Sequence, residues 1–170
     1  MPGVVTGRIL HVNRTTGTLE DEFPPGSFFR TYLGGSAMGL YYILKGMQPG
    51  TDGLDPSNVL TVMDSLLTGA PIAGQSRVTV NARSPLVDGI GDSQAGGFFP
   101  AELRFAGFIG LVITGRAAEP VYLWIHDGEA ELRPAGHLWG RTTTETVDML
   151  RAELGDPRIE VAAIGPALRA

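Results

Sequence analysis

The chain has 170 residues, 43% of them hydrophobic and 18% charged, a size and balance that bury a real core and exclude an intrinsically disordered protein. A formal net charge of −5 argues against a nucleic-acid-binding surface, and the absence of cysteine excludes disulfides, thiol nucleophiles and cysteine-held zinc or iron–sulfur clusters within this segment. The start, Met1-Pro2-Gly3-Val4-Val5, lacks a charged region followed by an apolar one, and no run approaches the ~20 apolar residues of a membrane span, so a cytoplasmic protein that neither crosses a membrane nor binds nucleic acid is expected.

The 24 glycines and 12 prolines are dispersed between apolar runs, which is turn chemistry for a many-stranded fold. Gly7 to Val12 and Thr18 to Glu20 flank the turn-rich Asn13-Arg14-Thr15-Thr16-Gly17 and predict an opening hairpin. His11 on its first strand is expected to be structural. Tyr32 to Gly46 predicts a helix entered through Gly34-Gly35. There Gly35 and Gly39, four apart, leave a flat strip that suits either a flat ligand or close packing on a sheet.

Gln48 to Ser57 is a loop by composition, Asn58 to Met63 a largely buried strand, and Ser65 to Gly74 another loop. Ser76 to Arg83 alternates cleanly, placing Val78 and Val80 on one side and Arg77, Thr79 and Asn81 on the other. Arg77 thus opens a strand directly after a glycine-containing loop, where a guanidinium either faces solvent or makes paired hydrogen bonds to a phosphate.

The stretch from Gly89 to Gly107 reads as a glycine-rich loop running into a short helix. Pro100 has the fixed φ of a first helical turn, Glu102 sits in its positive end, and Gly107 suits a left-handed cap. Small residues at Ala95, Gly96 and Gly97 let a ligand approach the main chain, with free N–H groups facing it; a tight strand-to-helix turn accounts for them equally well.

Gly110 to Gly115 predicts a short apolar strand. Val121 to Ile125 and Glu129 to Arg133 predict a hairpin closed by Asp127-Gly128. His126 and His137 show no metal-ligand spacing and are expected to be structural. Thr142 and Glu145 form a capping box for a last helix with an apolar stripe at Val147, Leu150 and Leu154 and a stop at Gly155. Ile159 to Pro166 predicts a final strand. Two passes of strands, helix and strands point to an α+β fold, a β-rich duplicated sheet domain with few helices, built as a single domain over residues 1–170.

Ser84-Pro85-Leu86 through Gly89, Ala95-Gly96-Gly97-Phe98-Phe99, Ala101 to Gly107, Pro120-Val121-Tyr122, His137-Leu138-Trp139-Gly140 and Ala163-Ile164-Gly165-Pro166 occur in that order across nearly the whole chain. Together they resemble the N-terminal domain of the aldehyde:ferredoxin oxidoreductase family. The resemblance implies a tungsten- or molybdenum-dependent enzyme that oxidises aldehydes to carboxylates and passes electrons through a [4Fe-4S] cluster to ferredoxin. It further implies a bis-pterin cofactor whose phosphates are bridged by magnesium, with no side-chain ligand to the redox metal. Arg77 matches the arginine that contacts the pterin. Gln94, Ala95, Gly96 and Gly97 occupy the loop that approaches it, Gln94 standing where an asparagine is usual and offering a main-chain carbonyl to magnesium. No catalytic residue is expected here.

Two departures from the family pattern stand out. Ser36-Ala37 replaces an arginine–glycine pair, and the cluster cysteines, a further pterin-binding stretch and the substrate pocket are lacking. The chain is therefore expected to be incomplete relative to the full-length family and to need C-terminal domains or a partner subunit. The competing expectations are a cofactor-free scaffold of the same fold, forming homodimers or partner contacts through an exposed apolar face, and aromatic-ring reduction on a thioester.

Overall fold

A computed structural model of the protein describes residues 7–166; the Met1-to-Thr6 start and the four residues after Pro166 lie outside the described residues. The opening hairpin forms as expected, with β1 (Arg8–Asn13) antiparallel to β2 (Thr18–Glu22). Its turn is fixed by the Asn13 carboxamide, which accepts from the amides of Thr15 at 3.0 Å and Thr16 at 3.2 Å.

A helix with no counterpart in the sequence reading follows, α1 (Gly26–Tyr32), and its fully buried Phe29 explains why the segment folds against the sheet. Leu33 ends it at φ 58°, Gly34 continues at φ 114°, and α2 (Gly35–Gly46) then starts at the predicted glycine pair. The backbone of Gly34 is pressed against Ser65 in an isolated bridge, and a Cβ there would lie 2.7 Å from the Asp64 carbonyl oxygen.

The remaining strands are β3 (Leu60–Asp64), β4 (Arg77–Arg83), β5 (Ile90–Gly96), β6 (Phe108–Thr114), β7 (Val121–His126) and β8 (Glu129–Pro134). Between β5 and β6 lies α3 (Phe99–Phe105), and α4 (Thr143–Leu154) closes the series with its capping box intact and Gly155 in the left-handed conformation. Six strands form one mixed sheet in the order β2-β1-β6-β3-β4-β5, whose one parallel pairing is β1 with β6; β7 and β8 make a separate hairpin. The fold is α+β, sheet-rich and poor in helices, with one six-stranded sheet and one separate hairpin rather than two matching sheets.

Both faces of that sheet are covered. One carries Ile9, Met63 and Val112 beneath α1 and α2, with Phe29, Met38, Tyr42 and Ile43. The other carries Leu10, Val12 and Leu111 beneath Leu103 of α3 and the inner residues of the β7–β8 hairpin. A strand covered on both sides loses the alternation of a half-exposed one, and central β6 accordingly reads Phe-Ile-Gly-Leu-Val-Ile-Thr.

Two expectations are corrected. The Gly89-to-Gly97 stretch is largely the edge strand β5, because residues 90–96 pair with β4 in unbroken antiparallel register. The Ile159-to-Pro166 stretch is not a strand: it lies along α4, where the Arg151 side chain donates to the Ile159 carbonyl at 2.9 Å and Val161 packs against Leu138 and Leu150. An apolar run becomes a strand only when an open edge lies beside it.

The two readings of the Gly35–Gly39 strip resolve in favour of close packing. A Cβ on Gly39 would lie 2.5 Å from Asn81 Oδ1 and 2.6 Å from Thr61 Oγ1, and one on Gly35 would lie 3.1 Å from Thr79 Oγ1. The polar side of β4 is therefore the side α2 seals, and Thr61, Thr79 and Asn81 are buried. Gly39→Ala is expected to lower unfolding free energy by about 1–3 kcal/mol despite alanine's helix preference, because two buried polar side chains must shift. Urea denaturation measures this; unchanged or raised stability would show that the helix–sheet spacing is not set by this glycine.

Candidate functional site

The register of β4 against β5 decides which of the sequence-predicted residues meet. Arg77 stands opposite Gly96, Thr79 opposite Gln94, and Asn81 opposite Asp92. Cross-strand partners share a face, so Arg77, Gln94 and Gly96 lie on the side where α2 packs, while Ala95, opposite Val78, turns its methyl to the other side and offers only its backbone here. Gly97 follows with φ 112°, a conformation that side chains strain to adopt, and nothing lies within 4 Å of where its Cβ would be. The Ser76 hydroxyl donates to the Gly97 carbonyl at 2.5 Å and ties the start of β4 to the end of β5. All five predicted residues thus come to one end of one hairpin.

The chemistry differs from that of a free loop. Because β5 is in a ladder, its inner row of backbone groups is engaged by β4 and only its outer row is open, so the stretch supplies fewer amide donors than a loop would. What it does supply is a Cβ-free, exposed surface at Gly96 and Gly97. Beside it stands exposed Arg77, whose guanidinium makes no hydrogen bond or ion pair among the described residues.

The entry to α2 borders this surface. Its first turn carries no acidic residue and no side chain caps its amides. The hydroxyl of Ser36 donates to the carboxylate of Asp92, two residues before Gln94 on the same face of β5. Asp92 escaped the sequence reading, though its two-residue spacing from Gln94 was the available signal. The set therefore combines one unpaired guanidinium, one carboxylate, the Gln94 oxygens and an open glycine backbone. That is a donor set for a phosphate together with an oxygen-preferring divalent cation.

A second feature lies at the root of the loop leading to Arg77. Asp64, the last residue of β3, is fully buried and neither of its carboxylate oxygens has a hydrogen-bond partner. Burial raises its pKa to about 8 against the opposing attraction of the Arg104 charge on α3.

The histidines are held in ways that fit structural roles: His11 meets Glu22 at 2.6 Å across the hairpin, His126 stacks on Trp124, and His137 meets Glu153 at 2.9 Å. No group of three or more His, Cys, Asp or Glu side chains able to hold a metal occurs among the described residues. None of the described helices is long and apolar enough to cross a membrane.

Fold and site together define a sheet-rich α+β platform whose polar donors sit on an exposed hairpin end. The family model for the aldehyde ferredoxin oxidoreductase N-terminal domain matches residues 9–169, and the chain belongs to that family. It is 41% identical over 161 residues to a tungsten-containing aldehyde ferredoxin oxidoreductase of Pyrococcus abyssi, covering 95% of this chain and 26% of that protein. It is 28% identical over 151 residues to an aliphatic sulfonate oxidoreductase, WOR-like subunit, of Pyrococcus furiosus, covering 87% of this chain and 24% of that one. A structure of the active site complex BamBC of benzoyl coenzyme A reductase with 1,5-dienoyl-CoA superposes with a TM-score of 0.91 at 34% identity, over 94% of this chain and 24% of that chain. The chain thus spans about a quarter of the length of these relatives.

The buried proton of Asp64 has a measurable consequence. The folded protein keeps it to about pH 8, whereas the unfolded chain loses it near the ordinary aspartate value. Between these limits the unfolded state binds fewer protons, so stability falls as pH rises from roughly 4 to 8. Asp64→Asn is expected to remove this contribution, its stability relative to the parent rising by up to ~1.4 kcal/mol per pH unit through that window and levelling above it. Urea titrations at about pH 5, 7 and 9 test this; parallel profiles for the two proteins would contradict it.

Proposed function

We propose that this chain is the cofactor-binding N-terminal domain of a cytoplasmic tungsten- or molybdenum-pterin oxidoreductase that converts aldehydes to carboxylates. The observation that carries this reading is the meeting of unpaired Arg77 with the open Gly96–Gly97 backbone in a chain of this family. Arg77 would hold a pterin phosphate through paired N–H donors, and Gly96 and Gly97, with no Cβ in the way, would leave the main chain open to a flat group. The Gln94 main-chain carbonyl would offer a hard oxygen ligand to magnesium, and Ala95 would contribute backbone alone.

When bound, the metal–pterin group supplies the two-electron redox chemistry. The chain's own residues bind and orient it and present no catalytic acid or base. With no cysteine here, the [4Fe-4S] cluster that carries electrons to ferredoxin belongs to the C-terminal domains or a partner subunit.

Reduction of an aromatic thioester is a second reading, favoured by the superposition on the benzoyl coenzyme A reductase complex. A cofactor-free scaffold, with homodimerisation or partner contacts as its work, is a third; the exposed Phe98 and Phe105 rings of the α3 region are what favour it.

In the assembled protein, Arg77→Ala is expected to lower pterin and tungsten content several-fold, the loss of a charge-assisted pair of hydrogen bonds weakening phosphate binding by about 2–3 kcal/mol. Metal analysis and pterin fluorescence of the purified protein measure this, with Arg77→Lys intermediate because it keeps the charge without the fork. Unchanged content in Arg77→Ala with the fold intact would remove Arg77 from the site; a parent protein free of metal and pterin would favour the scaffold.

A further inference from the structure

One end of the larger sheet carries positive charge that no acid answers. β4 and β6 run in the same direction, each antiparallel to β3, so Arg77 at the start of β4 and Thr114 at the end of β6 lie at opposite ends of the sheet. Along the strands that is roughly 20 Å, from the rise of a seven-residue strand. Where β1 and β6 end side by side, Arg14 and Arg116 follow them. Neither guanidinium makes an ion pair with a carboxylate among the described residues.

The corner that brings them together is fixed by backbone. The Arg14 amide donates to the Thr114 carbonyl at 2.9 Å, the Arg116 amide to the Thr15 hydroxyl oxygen at 2.9 Å, and the Gly115 amide to the Pro56 carbonyl at 2.9 Å. Gly115 holds φ 77° and a Cβ on it would lie 2.5 Å from Thr15 Oγ1, so only glycine fits the corner. One Nη of Arg14 donates to the Gly115 carbonyl at 2.6 Å, which holds its guanidinium beside the residue preceding Arg116. Like charges held this way repel: partial desolvation, and then the Arg116 charge, lower the Arg14 pKa. The neighbouring loop brings acids but spends them on itself. Asp52 accepts from the Leu54 amide at 2.7 Å, and Asp55 from the Ser57 amide and hydroxyl at 2.7 Å and 2.6 Å.

We infer that Arg14 and Arg116 form a binding site for a phosphate group at this corner, at the opposite end of the sheet from Arg77. One guanidinium fork satisfies a carboxylate and would leave the second arginine unmatched. A free phosphate or phosphate monoester carries about two negative charges and at least three terminal oxygens, enough to bridge both forks. The Thr15 hydroxyl, whose oxygen accepts from the Arg116 amide, keeps its own proton to donate to such a ligand. The site stands apart from the cofactor reading and needs no metal or pterin to be bound.

The test is calorimetric titration of the assembled protein, with the remaining portion present either in the same chain or as a co-purified subunit. At constant ionic strength it is titrated with inorganic phosphate and, separately, with adenosine 3′,5′-bisphosphate. The parent is expected to bind saturably, and Arg14→Ala and Arg116→Ala, both at exposed positions, are each expected to weaken binding about tenfold or more, with Arg14→Lys in between because it keeps the charge without the fork. The two titrants separate the sources of the phosphate: tighter binding of the bisphosphate assigns the site to a nucleotide-borne group, and equal affinity to free phosphate. No saturable binding by the parent, or parental affinity in both alanine variants, would overturn the inference; phosphate held at Arg77 instead would give the second of these results.

Discussion

The structure depends on how closely α2 lies on β3 and β4. Gly39 rests on Thr61 and Asn81 with no room for a methyl group, and Gly35 rests on Thr79. This contact fixes the height of the helix above the sheet and hence the position of its first turn. Because that turn reaches the side of β5 through Ser36 and Asp92, the same contact places the helix entry beside the hairpin end that carries Arg77, Gln94 and Gly96. The polar residues of β4 that the helix seals in are part of the cost: Asn81 Oδ1 is left without a partner.

The platform is rigid where it must position and open where it must be met. The ladder with β3 and the close seat of α2 on Thr79 and Asn81 hold β4 in place, and the strand it presents, β5, has no buried side chain of its own. Such a strand gains its order from the ladder with β4, so the site's geometry is inherited from the core through a single neighbour. Asp64 sits where three of these parts converge, at the end of β3, against the backbone of Gly34 and at the start of the loop that leads to Arg77. Its unpartnered carboxyl costs stability most above neutral pH, where a buried charge is hardest to keep.

Elements with strong local signals were legible in the sequence. The Asp127-Gly128 turn takes two positive φ angles and closes β7 on β8, and the Thr142–Glu145 box starts α4 as its spacing implies. What was not legible came from tertiary context. The parallel pairing of β1 with β6 joins segments far apart in the chain, and the glycine-rich, polar composition of β5 argues for a loop until β4 is beside it. The Ile159 run failed the other way, a strand pattern with no edge to join. Of the site, Arg77 and the Gln94-to-Gly97 stretch were visible, but only the register shows that they meet; Asp92 and Asp64 needed the fold to gain meaning.

The central claim is that the end of the β4–β5 hairpin is where this domain meets a pterin. A crystal structure of the assembled, metal-loaded protein tests it most directly. The account predicts pterin density lying over Gly96 and Gly97 with the Arg77 guanidinium hydrogen-bonded to an anionic oxygen of the cofactor. Density for the cofactor elsewhere, with Arg77 turned into solvent and polypeptide filling the space over Gly97, would contradict it.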